Sequence, residues 1–409
     1  MKYKLLMILL VIVVSLSGNS IFSFEGMPVK FYGNDVYGLG MGETGSSDLF
    51  RTNPNFSNPS LMASTNKVLF STAISLGHIW YEDNLGNEFR DDALEFPYFS
   101  LAVPIKNHRF GFSYNSIASG NLEVETEEIY ESAFGDTLEY SSLNSIISNL
   151  YSASFIYAFK NKYLNVGVSA DYYLGHRIQQ WNLEFDDDLE GAQYEIEKIF
   201  KNPGFSVGVS KKLGDFSFGS SYSSAVKLDG DVKYRFDHYP SVDTLNINDD
   251  DLFEVPVEIS GGFTYKFFEK YKASFDINYE MWEDTESYDK NTMKIGFGLG
   301  YDPLSGYGKW YNQIPLRIGT YTRELPFEKN GNKIMENAFT CGISIPLKSP
   351  DKKIELAVKY LTRGNVDDNF LADRSIMFTF GVTGFDVFKK RPKKIAPRDI
   401  PKADKKYLR

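Results

Sequence analysis

Cysteine is almost missing from this sequence: Cys341 stands alone among 409 residues. A single thiol excludes an internal disulfide framework and any cysteine-based zinc cluster. Histidine is scarce too, and His78, His108, His176 and His238 fall at no metal-ligand spacing. Positive charge is in deficit, with 44 Lys and Arg against 54 Asp and Glu, a formal charge of −10. That balance argues against a general nucleic-acid binder, which needs a basic face. After residue 24 no apolar run approaches 18 residues, so no membrane-spanning helix is expected. The mean hydropathy of −0.31 excludes a multi-helix membrane protein. It leaves room for a membrane β-barrel, whose strands are apolar on one face only.

Aromatic residues are abundant, at 16% of the chain, too many for a disordered polymer. The chain opens with Lys2 and Lys4, an apolar run from Leu5 to Leu16, and then the small residues Gly18 and Ser20. This is the order of an export signal, with cleavage expected after Ser20 or Ser23. The run is about 12 residues, short of the roughly 20 that a spanning helix needs.

The remainder alternates with a period of two. Tyr271, Ala273, Phe275, Ile277, Tyr279 and Met281 interleave with Lys272, Ser274, Asp276, Asn278 and Glu280, so apolar side chains share one face of a strand and polar ones the other. Leu164 to Leu174 repeats the pattern. Fourteen such segments are predicted, near 67–80, 95–105, 108–122, 148–160, 162–178, 203–212, 214–229, 253–268, 270–283, 290–302, 312–324, 335–347, 352–362 and 373–388. Long and short connections alternate between them. An all-β, 14-stranded antiparallel transmembrane barrel fits this pattern, with Lys272, Asp276 and Glu280 facing its lumen. Trp80, Tyr81, Trp282 and Tyr301 lie near strand ends, where aromatic girdles are expected at bilayer interfaces. Within the long connection 123–147 and just beyond it, Leu143, Ile146, Ile147 and Leu150 are spaced as one face of a short amphipathic helix. That helix suits either a landing site for a greasy ligand or packing on the barrel rim. Ser119 and Gly120, with Ser116 and Ala118, interrupt the third strand. They mark either a local defect in pairing or that strand's end.

Chemical motifs are sparse. No Ser, His and acid grouping stands out, so no enzyme is indicated, and no cofactor or metal is called for. Gly40, Gly42 and Gly45 form a G-x-G-x-x-G, but no βαβ unit surrounds it, so it is no dinucleotide site. Asp186 to Asp188 and Asp249 to Asp251 suit either divalent cations or plain solvation.

The segment before the first strand, DVYGLGMGETGSSDLFRTNPNFSNPSLMAS at 35–64, carries Gly40-Met41-Gly42-Glu43-Thr44-Gly45 and then Asn58-Pro59-Ser60-Leu61. It resembles the N-terminal hatch of FadL-type outer-membrane transporters, which open with a G-M-G-x-x-G-like stretch and an Asn-Pro-Ala-like motif. Ser60 departs from the usual Ala. Residues 150–175 are also similar to that family's strand-turn-strand pattern. The resemblance implies a barrel (66–388) plugged by a luminal hatch (24–65, with Gly40, Gly42, Gly45, Asn58 and Pro59 as its motif), after a signal peptide (1–23). It implies a bacterial outer-membrane location and passive uptake of hydrophobic molecules such as long-chain fatty acids. Leu61, Met62, Leu143, Ile146 and Ile147 are candidate ligand contacts, and Ser119 and Gly120 a candidate lateral exit. Outer-membrane lipid is the implied surrounding partner. PorV-type proteins of secretion machines share the hatch-like start, so an interaction role toward periplasmic or secreted proteins stays open. The tail, 389–409, holds ten Lys or Arg and two Asp, a net of +8. With Pro392, Pro397 and Pro401 it reads as a disordered periplasmic extension, fit for anionic headgroups or a partner.

Overall fold

A computed structural model describes residues 20–24, 35–51, 56–131, 137–185, 191–238, 241–303, 310–347 and 352–384. The expected basic tail and most of the expected signal segment lie outside these residues. Seventeen strand segments form one sheet: β1 (Leu69–Asp83), β2 (Glu88–Glu95), β3 (Tyr98–Ile105), β4 (His108–Glu131), β5 (Thr137–Phe159), β6 (Asn165–Phe185), β7 (Ala192–Leu213), β8 (Phe216–Ser223), β9 (Val226–His238), β10 (Ser241–Val255), β11 (Val257–Phe267), β12 (Tyr271–Met281), β13 (Thr292–Tyr301), β14 (Leu316–Lys329), β15 (Asn332–Pro346), β16 (Lys353–Asn365) and β17 (Leu371–Thr383).

Three pairs of segments are single wall strands with a break. β2 and β3 both pair with β1. β8 and β9 both pair with β7, and β10 and β11 pair with β9 and β8. Pro97 and Pro256 lie at two of the breaks; proline has no N–H for the ladder. Counting each pair once leaves fourteen wall strands. β1 pairs antiparallel with β17 from Ser71↔Thr383 to Asp83↔Leu371, which closes the barrel and leaves no open edge there.

The alternation sorts residues as expected. In β6, Val166, Val168, Tyr172 and Leu174 point outward and exposed, while Ser169, Asp171 and Tyr173 are buried inside. Outward apolar side chains recur on β1, β8, β11, β13, β15 and β17, among them Leu76, Phe218, Phe263, Phe297, Phe339 and Phe380. Such a belt is unfavourable against water and favourable against lipid. At the end where β1 begins, Phe216 and Tyr265 stack with centroids 4.4 Å apart, and Tyr271 contacts Phe267 and Tyr301 at 5.6 and 5.2 Å. This is an interfacial girdle that includes Tyr301 of the expected residues. Tyr81 and Trp282 are buried inside instead; Trp282 packs on Phe253 and Tyr288 and donates to Glu280.

The two barrel ends differ. At the short-turn end, β3–β4, β7–β8 and β11–β12 connect tightly. At the other, here the hairpin end, the long connections expected from the sequence are mostly strand. β4 and β5 pair from His108↔Phe159 out to Glu131↔Thr137, and β9 and β10 out to Ser241↔His238. The helix expected over 141–150 is absent: these residues belong to β5. Ile146 and Leu150 point inward and are buried, while Leu143 and Ile147 face the other way. Apolar residues on both faces of a strand mimic a helical spacing.

Candidate functional site

The N-terminal segment runs within the barrel. Its four-residue helix, Val36–Leu39, is capped by the Asp35 carboxylate, which accepts from the Gly38 N–H. Tyr37 is 2% exposed. The Arg317 guanidinium lies 3.9 Å from its ring centroid, Lys272 Nζ 4.2 Å and Arg51 5.2 Å, and its hydroxyl donates to Asp302 at 2.9 Å. Three cations around one buried ring make a strong electrostatic anchor.

The glycines that follow meet the wall. Gly40 faces Gly342 so closely that a Cβ would sit 3.0 Å from its Cα. Gly42 has φ +69 and its N–H donates to Thr340 Oγ1 at 2.8 Å. The main-chain N–H groups of Gly45 and Ser46 donate to Asp276 Oδ2 at 2.6 and 2.7 Å. The G-x-G-x-x-G amides thus serve the wall rather than a phosphate. Ion pairs reinforce the seat. Lys272 Nζ lies 2.7 Å from Asp48 and 3.1 Å from Asp302. Glu43 takes Lys294 at 3.0 Å and Lys359 at 3.3 Å. Burial pushes the Glu43 carboxyl up, but Lys294 and Lys359 outweigh it and hold it below its ordinary value.

Asn58 is fully buried and uses its whole amide. Its Oδ1 accepts from Ser60 N–H (3.0 Å) and Ser60 Oγ (2.8 Å), while Nδ2 donates to the carbonyls of Ser46, Val209 and Ser220. It caps the 3₁₀ turn Pro59–Ser64. Gly208 and Gly167 of the wall make room: a Cβ at either would overlap Asn58 or Pro59. Met62 packs on Ala102, Ile156 and Ala158, and Leu61 is buried beside it.

Above this segment the lumen divides by chemistry. A polar cavity of about 120 Å³ is lined by Ser152, Ser154, Ser169, Asp171 and Ser206. An apolar layer of Ala118, Leu150, Tyr173, Phe200, Leu228 and Val255 lies toward the hairpin end. There a second pocket, about 290 Å³, is lined by Ile21, Phe22, Leu122, Val124, Asn144, Lys329 and Leu371. Five of its seven lining side chains are hydrocarbon, with one amide and one ammonium.

This pocket adjoins a break in the wall. The Ser116 N–H donates to the Pro97 carbonyl at 2.9 Å. Beyond that bond, among the described residues, β4 pairs with β5 alone and β2 with β1 alone. Leu122, on this one-sided stretch of β4, packs across the break against Ala93 of β2. The Ser119–Gly120 feature falls here. A bulge shifts the β4–β5 register between Ser116 and Ala118, the strand continues, and Ser119 donates to Asn149 at 2.9 Å. The candidate residues are therefore dispersed. Gly40, Gly42, Gly45, Asn58, Pro59, Leu61 and Met62 seat the N-terminal segment. Ile146 pairs with Leu122 near the pocket, while Leu143 and Ile147 lie on the opposite face of β5. The pocket residues Ile21, Phe22, Leu122, Val124 and Lys329 carry no motif, and two of them fall within the expected leader.

The sequence model of a family described as BamG matches residues 2–391. Among curated proteins none matches the sequence. Several solved structures share the fold. A Pseudomonas aeruginosa FadL homologue superposes with a TM-score of 0.62 at 13% identity, covering 89% of this chain and 100% of its own. The CymD monoaromatic hydrocarbon channel gives 0.59 at 14%, covering 86% and 97%. The P. putida toluene transporter TodX gives 0.53 at 16%, covering 82% and 94%.

Proposed function

This chain belongs to the BamG family and has the barrel of the FadL-type channels, and from that premise we propose that it passes small hydrophobic molecules across the bacterial outer membrane. The observation that carries this reading is the apolar pocket set against the one-sided stretch of β4. An apolar solute gains by leaving water for such a pocket. Its size, about 290 Å³, lies at the low end of the roughly 300–1,000 Å³ usual for small-molecule sites, so it suits one small hydrocarbon or one acyl chain. Lys329 and Asn144 supply a cation and an amide for a carboxylate head, so a fatty acid is the favoured amphiphile. Long hairpins face outside and short turns the periplasm, as in outer-membrane barrels generally.

Residues 35–65 act as a hatch that stays seated. Its release would break the buried pairs of Lys272, Lys294 and Lys359, each costing about 3–5 kcal/mol when one partner is lost. The solute therefore leaves sideways between β2 and β4 into the bilayer. Function is read as non-enzymatic. The test is organic extraction of the barrel purified from an outer-membrane fraction. Retained hydrophobic ligand that disappears in Leu122→Trp supports the reading; a lipid-free barrel, with no binding of added fatty acid or toluene, overturns it.

A second reading has its own support. Beyond the membrane band the β6–β7–β9 sheet reverses its polarity. Trp181, Tyr194 and Phe236 stack across three strands, with centroids 5.1 and 4.8 Å apart. The opposite face carries Glu195, Glu197, Lys233, Arg235 and Asp237. An aromatic face above the barrel mouth suits a PorV-like role in protein interaction. Co-purification of a stoichiometric protein lost on Trp181→Ser with Tyr194→Ser would favour it.

A further inference from the structure

The first described turn of the chain is buried, not free. Ser20 is 0% and Phe22 3% exposed. The Ser20 hydroxyl donates to Asp373, and the main-chain N–H of Ile21 donates to the same carboxylate. The Phe22 N–H donates to Ser20 Oγ at 3.2 Å. The Phe22 ring packs on Leu325 and Ile334. It lies over Gly364, φ +68, where a Cβ would meet the ring at 2.5 Å.

Asp373 is 3% exposed. Its cation is Arg363, at 3.3 Å, but Arg363 is engaged more closely by Glu336. Arg323 also serves Glu336, at 2.7 Å. A buried carboxylate is stable when a cation faces it directly.

The leader sequence points to the same place. Gly18 and Ser20 put small residues three and one positions before the Ser20–Ile21 bond, as a leader-cleaving peptidase requires. The alternative bond, Ser23–Phe24, puts Ile21 three positions before the cut. Cleavage there would also discard Ile21 and Phe22, emptying the space over Gly364 and removing two residues of the apolar pocket.

We propose that the chain is processed between Ser20 and Ile21, and that the new α-ammonium of Ile21 pairs with Asp373 and locks the N-terminus at the hairpin end of the lumen. Water adds across the bond: the Ser20 side leaves as a carboxylate and Ile21 keeps the amine. An ordinary α-amine, with a pKa of about 7.7–8.0, is largely protonated at neutral pH and more so beside a carboxylate. The N–H that now donates to Asp373 becomes a charged donor in the same position, replacing the Ser20 hydroxyl. Processing thereby completes the pocket, since Ile21 and Phe22 become a pinned end rather than part of a continuing chain. The inference rests on the export-signal reading and not on the identity of the solute.

The test uses the full chain expressed with its own leader and recovered from the outer membrane. Intact mass and N-terminal sequencing should give Ile21 as the first residue. A start at Phe24, or a retained leader, overturns the proposal. The folded barrel is then treated with a water-soluble amine-acetylating reagent. The α-amine should react at least tenfold more slowly than in the boiled protein, and Asp373→Asn should remove that protection. Equal rates in folded and boiled wild type overturn the ion pair whether or not the Asp373 variant assembles. Phe22→Ala, which leaves Asp373 intact, should give an intermediate rate. Ligand extracted from the same samples is scored separately, so loss of the solute with a protected N-terminus refutes the transport reading and leaves this one standing.

Discussion

The strands β12 to β17 and the strands β2 to β11 enclose one lumen with different chemistry. The first set has unbroken ladders across β12 and β13 and across β15, β16 and β17, with one register shift between β14 and β15 near Glu324 to Glu328. Its inner face is dense with charge: Lys272, Lys294, Arg317, Arg323, Glu336, Glu355, Arg363 and Asp373 are all buried. These groups hold the helix Val36–Leu39 and the glycine stretch after it. The second set has the three strand breaks and the bulge near Ser116. Its inner face is rich in serine, and it lines both cavities together with residues of β12, β14 and β17. Charge pairing in a low-dielectric lumen demands fixed geometry, so the charged half is built as a clamp. Hydroxyls accept many geometries and tolerate water, so the serine half keeps room. A charged clamp and a serine-rich face thus stand on opposite sides of one barrel.

Substitutions that treat the halves unequally sharpen this contrast. The largest effect is expected from Lys272→Ala, which strands Asp48 and Asp302 without their shared cation. About 3–5 kcal/mol should be lost, read as a lower temperature for the mobility change on heating in SDS. Ser152→Ala on the serine half should cost at most about 1 kcal/mol. Equal losses would erase the distinction. Next comes Gly319→Val, whose side chain would overlap the main chain of Met41 and Gly42. Overpacking of this kind costs about 1–3 kcal/mol. The barrel should still form, with residues 35–51 newly open to protease.

Two further changes address the apolar pocket, which β4 and β5 of the serine half share with Lys329 of β14 and Leu371 of β17. Leu122→Trp should abolish ligand retention while leaving the heat-dependent mobility change intact. Lys329→Gln removes a charge-assisted contact worth about 1.5–3 kcal/mol. It should weaken fatty-acid binding about tenfold or more and leave toluene binding unchanged, as titration with both probes would show. The smallest effect is the pH response of the clamp. Because the folded-state value of Glu43 is lowered, its contribution is present above the ordinary 4.5 and is lost as pH falls through the lower folded value. Protease protection of the N-terminal segment should therefore hold from pH 8 to pH 5 and fade only in stronger acid.

Much of the wall was legible because an apolar outer face and a polar inner face enforce strict alternation. Lys272, Asp276 and Glu280 could be placed on the inner face from period two alone. That reasoning weakens where the bilayer ends. In 141–150 both faces of β5 carry apolar residues, so Leu143, Ile146, Ile147 and Leu150 show the spacing of a helix although the backbone is extended. The outer hairpins read as loops for the same reason. Tyr81 and Trp282 illustrate a related limit, since a strand-end aromatic fits an interface or an interior equally well. The Asn58-Pro59 and glycine motifs were visible through the family resemblance, whereas their partners, such as Thr340 and Asp276 for the Gly42 and Gly45 amides, are distant in sequence and were not. The pocket was not, because Ile21, Phe22, Leu122 and Lys329 meet only through closure of the barrel, and the first two are disguised by the apolar composition of the leader.

The most direct test of a seated hatch with a lateral exit is to pin the hatch. The hydroxyls of Ser47 and Thr264 lie 3.0 Å apart, close enough for Ser47→Cys and Thr264→Cys to form a disulfide, with Cys341→Ser to prevent mispairing. Uptake of fatty acid and toluene by cells carrying this barrel is then compared before and after reduction. Undiminished uptake with the disulfide closed is the predicted result. Uptake that stops on oxidation and returns on reduction would show that the segment must move, and would contradict the account.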